Sequence, residues 1–534
     1  MPDIHANWKS TNATRVRVPD ISPLSGMCPI CIKECPVLCE IGKSAFRGRE
    51  VLYPEPEQFG WSTAAANKDF YLDWSHIQIL STVRGAEGIE PDPDKALFPN
   101  VDITTEAGGV KLRVPVIIAA LGSTAVAKNN WDGLAIGAAI SGTIMTVGEN
   151  VCGMDPNSKI TNGKVEDSPD MNYRIETYRK FWDEKYGDIV VQTNVEDQRL
   201  GVDVYVLSKL EVNIIERKWG QGAKAIGGEV RIYDLDKAIM LKKRGYLVIP
   251  DPEDPVVQEA FKAGVLKSFE RHSRVGMPNQ KDFVEDIEWL REQGAKKVFL
   301  KTGSYRPEIV AFTLKCASEA KIDLLTFDGT GGGTGMSPIN HMHELGVPTV
   351  YLEAIVLKCL EILKKHGKYV PDIAMAGGFV NEGQIFKAIA MSNFGDGPYV
   401  KTISMARAPI TAVMKATYFS ELAEKGRLPK NFADKYGDKP EKFFITVSEL
   451  QEKYGEDVVG KKDGIPWSAV GLYTYFVDKL GTGIQQLCAG VRKFKLHLIN
   501  RNDLACLTEK AARVTGLPFI SDVDADKLES ILLG

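Results

Sequence analysis

No uninterrupted apolar run in this chain approaches the roughly 18 residues that a membrane-spanning helix needs, so no membrane span is expected. The opening Met1-Pro2-Asp3-Ile4-His5-Ala6-Asn7-Trp8-Lys9 holds no apolar core and does not read as a secretory signal. Excess charge of one sign is also missing. The 66 Lys and Arg against 70 Asp and Glu leave a formal charge of -4, which argues against nucleic acid as a partner. Internal repeats and low-complexity tracts are absent. No dinucleotide fingerprint with a following acidic residue stands out, so no direct NAD(P)H site is expected. A disulfide framework is disfavoured because the nine cysteines are an odd number and four fall within twelve residues. A cytoplasmic location is the expectation.

What is present is ordinary globular composition, 44% hydrophobic and 25% charged. The length of 534 residues suits two to four domains. Residues 1–90 are rich in Pro, Trp, Tyr and Cys and show little periodicity. Residues 91–430 alternate β-rich runs with helical patterns. Residues 431–534 are charged and helix-prone, with a longer helical stretch from Ala469 through Leu498. Candidate strands are 114–118, 143–147, 188–192, 298–301, 323–327, 349–352, 372–376 and 400–404. Eight strands alternating with helices predict a (β/α)8 barrel, with an insertion within 150–245. A doubly wound open sheet is the alternative.

Cys28-Pro29-Ile30-Cys31-Ile32-Lys33-Glu34-Cys35-Pro36-Val37-Leu38-Cys39 has C-x2-C-x3-C-x3-C spacing. Four thiolates this close can wrap one inorganic centre. The compact run, its Cys-Pro pairs and its apolar neighbours favour an iron–sulfur cluster, the 4Fe-4S form ahead of 3Fe-4S. Structural zinc is the runner-up and free thiols the third reading. Lys33, Lys43, Arg47 and Arg49 form either a lip for an acidic electron carrier or a solvated basic face. Cys316 and Cys359 fall on helical patterns and read as small buried hydrophobes. Cys152 follows a candidate strand and could serve a site or only pack.

Barrel chemistry belongs at the C-terminal ends of the strands. Ala376-Gly377-Gly378-Phe379 and Met405-Ala406-Arg407-Ala408-Pro409 follow the last two candidate strands. Their backbone amides, with Arg407, suit a phosphate, although a glycine pair is also an ordinary turn. Lys301 ends an apolar strand and could steady the negative charge of a reduced flavin, or simply snorkel. Gln192 could pair with a flavin's pyrimidine edge. The small residues Ala119, Ala120 and Ser123 could underlie its ring. The loop Phe327-Asp328-Gly329-Thr330-Gly331-Gly332-Gly333-Thr334-Gly335-Met336-Ser337-Pro338 lets backbone approach a ligand closely, and Gly332 and Gly333 are candidate cofactor contacts.

These motifs, in this order, resemble the FMN-binding synthase domain of glutamate synthase over residues 95–430. Ala119–Ser123 resembles its first loop and Val147-Gly148-Glu149-Asn150 its Gly-Glu loop. Gln221-Gly222-Ala223-Lys224-Ala225-Ile226-Gly227-Gly228 resembles its Gln-Gly-Ala-Lys motif. Gly332–Pro338 matches its Gly-Gly-Thr-Gly-x-Ser-Pro loop. Gly490-Val491-Arg492 and Arg501-Asn502-Asp503-Leu504 resemble its tail. The resemblance implies a barrel holding FMN that reductively aminates 2-oxoglutarate to glutamate. Lys224 would bind or polarise the substrate, Glu149 would contact it or move a proton, and Lys301 would steady the flavin.

Three departures qualify the likeness. No Cys stands at position 2, and no room for a glutaminase is expected, so ammonia or a small amine must arrive free or from a partner. Met405 through Tyr418 lacks the cluster cysteines of the large enzymes, a role the N-terminal knot would take. Asp328-Gly329-Thr330-Gly331 replaces their Ser-Gly-His-Asp and looks nearer the stand-alone, archaeal-type branch. Electrons would come from ferredoxin or a partner subunit, within an oligomer. The alternatives are amine transfer making N-methylglutamate, an FMN-dependent α-hydroxy-acid oxidase using His341 and His343, and an electron-transfer subunit of a larger complex.

Overall fold

The computed structural model describes residues 68–534 apart from 221, 223–226, 228 and 332–337, together with 28, 31–37, 39, 41, 45 and 46. Eight parallel strands close into a barrel. In chain order they are β1 (Val116–Leu121), β2 (Met145–Val147), β3 (Ile189–Thr193), β4 (Ile214–Lys218), β5 (Lys297–Thr302), β6 (Leu324–Asp328), β7 (Asp372–Ala376) and β8 (Val400–Met405). Each pairs with its sequence neighbour, and β8 closes on β1.

Seven of the expected strands are barrel strands; Thr349-Val350-Tyr351-Leu352 is not. It opens the helix Thr349–Lys365, which starts behind Pro348 and buries Val350, Leu352, Val356, Leu357 and Leu360. That spacing is helical. Its β-branched and aromatic start imitates a strand. The true remaining strand is Ile214-Ile215-Glu216-Arg217-Lys218, inside the segment expected to hold an insertion. An insertion begins in that segment but runs beyond it, as a three-stranded antiparallel sheet of Glu229–Ile232, Leu247–Ile249 and Phe269–His272.

Alternation along each strand decides what faces the barrel's interior. Ile117, Val190, Ile214, Phe299, Leu324 and Ala374 form one apolar cluster with Ala107, Val110 and Leu112. The last three belong to the hairpin Thr105–Ala107 and Val110–Leu112, which plugs the N-terminal end. Gly108 N–H donates to Asp372 Oδ2 at 2.9 Å, and Lys297 Nζ donates to the Gly109 carbonyl at 2.7 Å. Two residues further along the same inward faces stand Ala119, Gln192, Glu216, Lys301, Thr326 and Ala376. A dry floor therefore carries a polar layer at the C-terminal mouth.

The C-terminal part is helical. Trp467–Gly490 runs without a break as α-helix, an eight-residue π turn at Thr474–Gly481, and α-helix again. It ends at Gly490, short of the expected Leu498. It lies against the helix Trp131–Ser141, where a Cβ on Gly133 or Gly137 would fall within 3 Å of Ser468 or Leu472. Ile77–Ile79 pairs antiparallel with Leu504–Cys506. No helix among the described residues is long and apolar enough to cross a membrane.

Candidate active site at the barrel mouth

Glycine lets the loops converge on the mouth. The loops after β1 and β2 touch backbone to backbone. Gly148 N–H donates to the Leu121 carbonyl at 2.9 Å, a Cβ on Gly122 would lie 2.4 Å from the Glu149 carbonyl oxygen, and one on Gly148 would lie 2.4 Å from the Gly122 nitrogen. Buried Arg174 holds the first loop, donating to the Leu121 and Gly122 carbonyls at 3.2 and 2.9 Å. Across the mouth, a Cβ on Gly222 would meet the Gly329 carbonyl oxygen at 2.4 Å, so the loops after β4 and β6 also press together.

Charged side chains fill the space between them. Gln192 Nε2 donates to Glu216 Oε1 at 2.6 Å. Gln192 Oε1 is buried with no hydrogen-bond partner. Burial pushes the Glu216 carboxyl up despite Lys301 and Lys218 nearby. Lys301 is buried, with Nζ 3.8 Å from Asp328 Oδ2. From the rim, Lys218 Nζ lies 2.6 Å from Glu149 Oε1. Burial acts to raise the Glu149 carboxyl, but the Lys218 cation prevails and holds it below its usual range.

Beside this layer, the insertion sheet presents Arg271, 1% exposed. Its Nη1 donates to Ser273 Oγ, its Nε has no partner, and it makes no ion pair among the described residues. Burial depresses its basicity while Tyr246, whose ring lies 5.2 Å away, and then Glu149, Glu196 and Asp197 draw it back up. A buried guanidinium without a carboxylate is costly unless an anion completes it.

Ala119, Ala120, Ser123, Gln192, Lys301, Gly377, Gly378 and Arg407 all lie at or just past the C-terminal ends of barrel strands, with Glu149 in the loop after β2. Gly377 and Gly378 have φ of +109° and +88°. A Cβ on Gly378 would meet nothing within 4 Å. Exposed Arg407 is the first residue of the helix Arg407–Glu424, whose N-terminus has no side-chain cap. Its free amides face the end of β8, an arrangement that attracts anions. Lys224, Gly332 and Gly333 lie outside the described residues.

Glu216, Lys218 and Arg271 were not anticipated from the sequence. The available signal was the charged triplet Glu216-Arg217-Lys218 after two isoleucines, just before the Gln-Gly-Ala-Lys motif. Cys152 is fully buried, and burial pushes its thiol up, away from nucleophilic use. Cys316 and Cys359 sit on helices as expected. His341 and His343 lie on the helix Ile339–Glu344, outside the inward-facing rows.

The N-terminal cysteines do not show a metal centre. Cys31 is exposed and Cys28, Cys35 and Cys39 are half-buried, with no disulfide among them. Among the described residues, no group of three or more His, Cys, Asp or Glu could hold a metal ion.

Three relationships to known proteins accompany this geometry. The chain is 24% identical over 322 residues to archaeal glutamate synthase [NADPH] of Archaeoglobus fulgidus, covering 60% of this chain and 53% of that protein. It thus spans about half the length of that relative. The flavin-binding domain of baker's yeast flavocytochrome b2 is similar at 14% identity and a TM-score of 0.45, covering 85% of this chain and 81% of that one. A soluble mutant of Pseudomonas putida (S)-mandelate dehydrogenase is similar at 13% identity and a TM-score of 0.42, covering 81% and 88%. Residues 266–406, from the end of the insertion through β8, match the family described as the conserved region in glutamate synthase. These two matches support a glutamate synthase-type synthase domain in this chain.

Proposed function

We propose that this protein is an FMN-dependent oxidoreductase that converts 2-oxoglutarate and ammonia to glutamate. The observation that carries the reading is the buried, unpartnered Gln192 Oε1, in the same inward-facing layer as Lys301 at the mouth of a closed barrel. An acceptor of this kind suits the ring N–H of a flavin, since an unmade buried hydrogen bond costs about 1–3 kcal/mol. When bound, FMN supplies hydride-transfer chemistry.

The chain's own residues divide the remaining work. Gln192 holds the pyrimidine edge. Lys301 supplies positive charge where reduction adds negative charge. Gly377, Gly378 and the helix starting at Arg407 take the phosphate, with Gly332 and Gly333 as further cofactor contacts. Ala119, Ala120 and Ser123 underlie the ring. Arg271 takes a carboxylate of the oxo acid, and Lys224 polarises its carbonyl. Glu149, kept ionised by Lys218, moves a proton at the nitrogen. Overall, 2-oxoglutarate, ammonia, two electrons and two protons give glutamate and water. Ferredoxin or a partner subunit is the proposed electron source. The cysteine spacing alone supports an iron–sulfur centre, and no step is assigned to it.

Purified protein should be yellow, release FMN on acid treatment and form glutamate from 2-oxoglutarate and ammonia with reduced ferredoxin. Iron content tests the cysteine knot, and methylamine with glutamate tests the amine-transfer alternative. Colourless protein that takes up no added FMN overturns the proposal.

A further inference from the structure

The turn that carries Glu149 is gripped from outside the barrel. Asn150 follows Glu149 and has φ of +65°, a conformation that costs a non-glycine residue energy. Its backbone N–H donates to both oxygens of Asp197, at 3.1 and 3.0 Å. Asp197 is 1% exposed and also accepts from Asn194 N–H at 3.2 Å. It is itself fixed, as the third residue of a capping box on the helix Val195–Leu200. The grip therefore ties the loop after β2 to the loop after β3.

Asn150's side chain makes a second tie. Its Oδ1 accepts from Tyr246 Oη at 3.2 Å, and its Nδ2 donates to Ser273 Oγ at 3.4 Å. Ser273 also accepts from Arg271. One residue next to Glu149 thus joins the barrel to the insertion sheet that presents the buried arginine.

We propose that Asp197 is a positioning residue: its carboxylate sets the place of Glu149 by holding the Asn150 amide. This rests on the role given to Glu149 above. Asp197 makes no hydrogen bond to Glu149's carboxyl or to the mouth's lysines among the described residues; apart from charge repulsion with Glu149, its influence passes through the backbone of Asn150. A shift of about 1 Å in a proton-transfer group can cost on the order of 100-fold in rate.

The grip is also poised to respond to pH. Burial pushes Asp197 up to about 7, against the two amides that favour its ionised form. Glu149 and Asp203 add to that push. Cys152, Tyr246 and Arg271 face it from the helix after β2 and from the insertion sheet. Protonation turns one accepting oxygen into a donor, which the Asn150 amide cannot use.

The test is a double-mutant cycle on FMN-loaded protein with Asp197→Asn and Glu149→Gln. Asp197→Asn should lower kcat roughly tenfold, leave the KM for 2-oxoglutarate within about twofold, and remove the inflection near pH 7 from the kcat profile. In the Glu149→Gln background the same change should cost less than about twofold. A full tenfold loss in that background would mean a merely structural role and overturn the proposal. Hydrogen exchange supplies an arm that needs no turnover. Peptides covering 148–152 should exchange at least about fivefold faster in Asp197→Asn, while peptides covering 297–302 stay unchanged. Equal exchange at 148–152 overturns the proposal even if the wild type makes no glutamate, an outcome that by itself would sink only the proposed reaction. If Asp197→Asn does not fold, Asp197→Ser, with a shorter acceptor, carries the same comparison.

Discussion

Gln192 Nε2 donates to Glu216 Oε1 at 2.6 Å across the paired ends of β3 and β4, which leaves Gln192 Oε1 buried and unsatisfied. The pair fixes the amide's orientation. Without Glu216 the amide could rotate, and its free acceptor would no longer point one way.

Replacing Gln192 by Leu should therefore remove one ligand hydrogen bond and leave the barrel standing. A loss of about 1.4 kcal/mol corresponds to a tenfold weaker FMN. Fluorescence titration of the apoprotein would read the change, and unaltered affinity would take Gln192 out of the site.

Lys218→Met should reverse part of the pH dependence of stability. In the wild type Glu149 is depressed below 4.5, so its contribution is present above that value and lost as pH falls through the folded-state pKa. Without the Lys218 cation, burial is no longer outweighed and the carboxyl moves up. The folded state then holds a proton that the unfolded chain releases, and Glu149's contribution falls as pH rises past about 4.5. Urea unfolding between about pH 3.5 and 7 should show that change of slope, with a cost of roughly 2 kcal/mol near neutrality. Parallel profiles for the two proteins would refute it.

Two neighbouring glycines should respond differently to alanine. At Gly377 the new Cβ would lie 2.5 Å from the Gly329 carbonyl oxygen, adding a clash to an unfavourable φ. The expected cost is about 3 kcal/mol. At Gly378 the added methyl meets open space, so only conformation is charged, about 1 kcal/mol. Denaturant midpoints of the two variants should differ in that order.

Most barrel strands were legible because each is a short apolar run bounded by polar or glycine residues. Thr349–Leu352 misled because four residues cannot separate a strand from the first turn of a helix. Only the later spacing of Val356, Leu357 and Leu360 settles it. β4 was hidden for the opposite reason. Three consecutive charged residues look like surface, yet Glu216 and Arg217 are 5% and 3% exposed. Arg217 pays its desolvation through Asp203 and Asp286, each at 2.7 Å. The strand-end positions of the glycines, Gln192 and Lys301 were readable from the runs that precede them. Arg271 and Asp197 were not, since their partners are distant in sequence and no local pattern marks them.

The short ladder between Ile77–Ile79 and Leu504–Cys506 gives two remote segments a shared fate. Lys387 adds a tether to the Trp74 carbonyl and Lys68 one to Glu344, each at 2.9 Å, so the described stretch from residue 68 is moored both to helices around the barrel and to the chain beyond residue 500. Whatever loosens that tail also frays Ile77–Ile79, so a lesion in the late segment is felt in the early one.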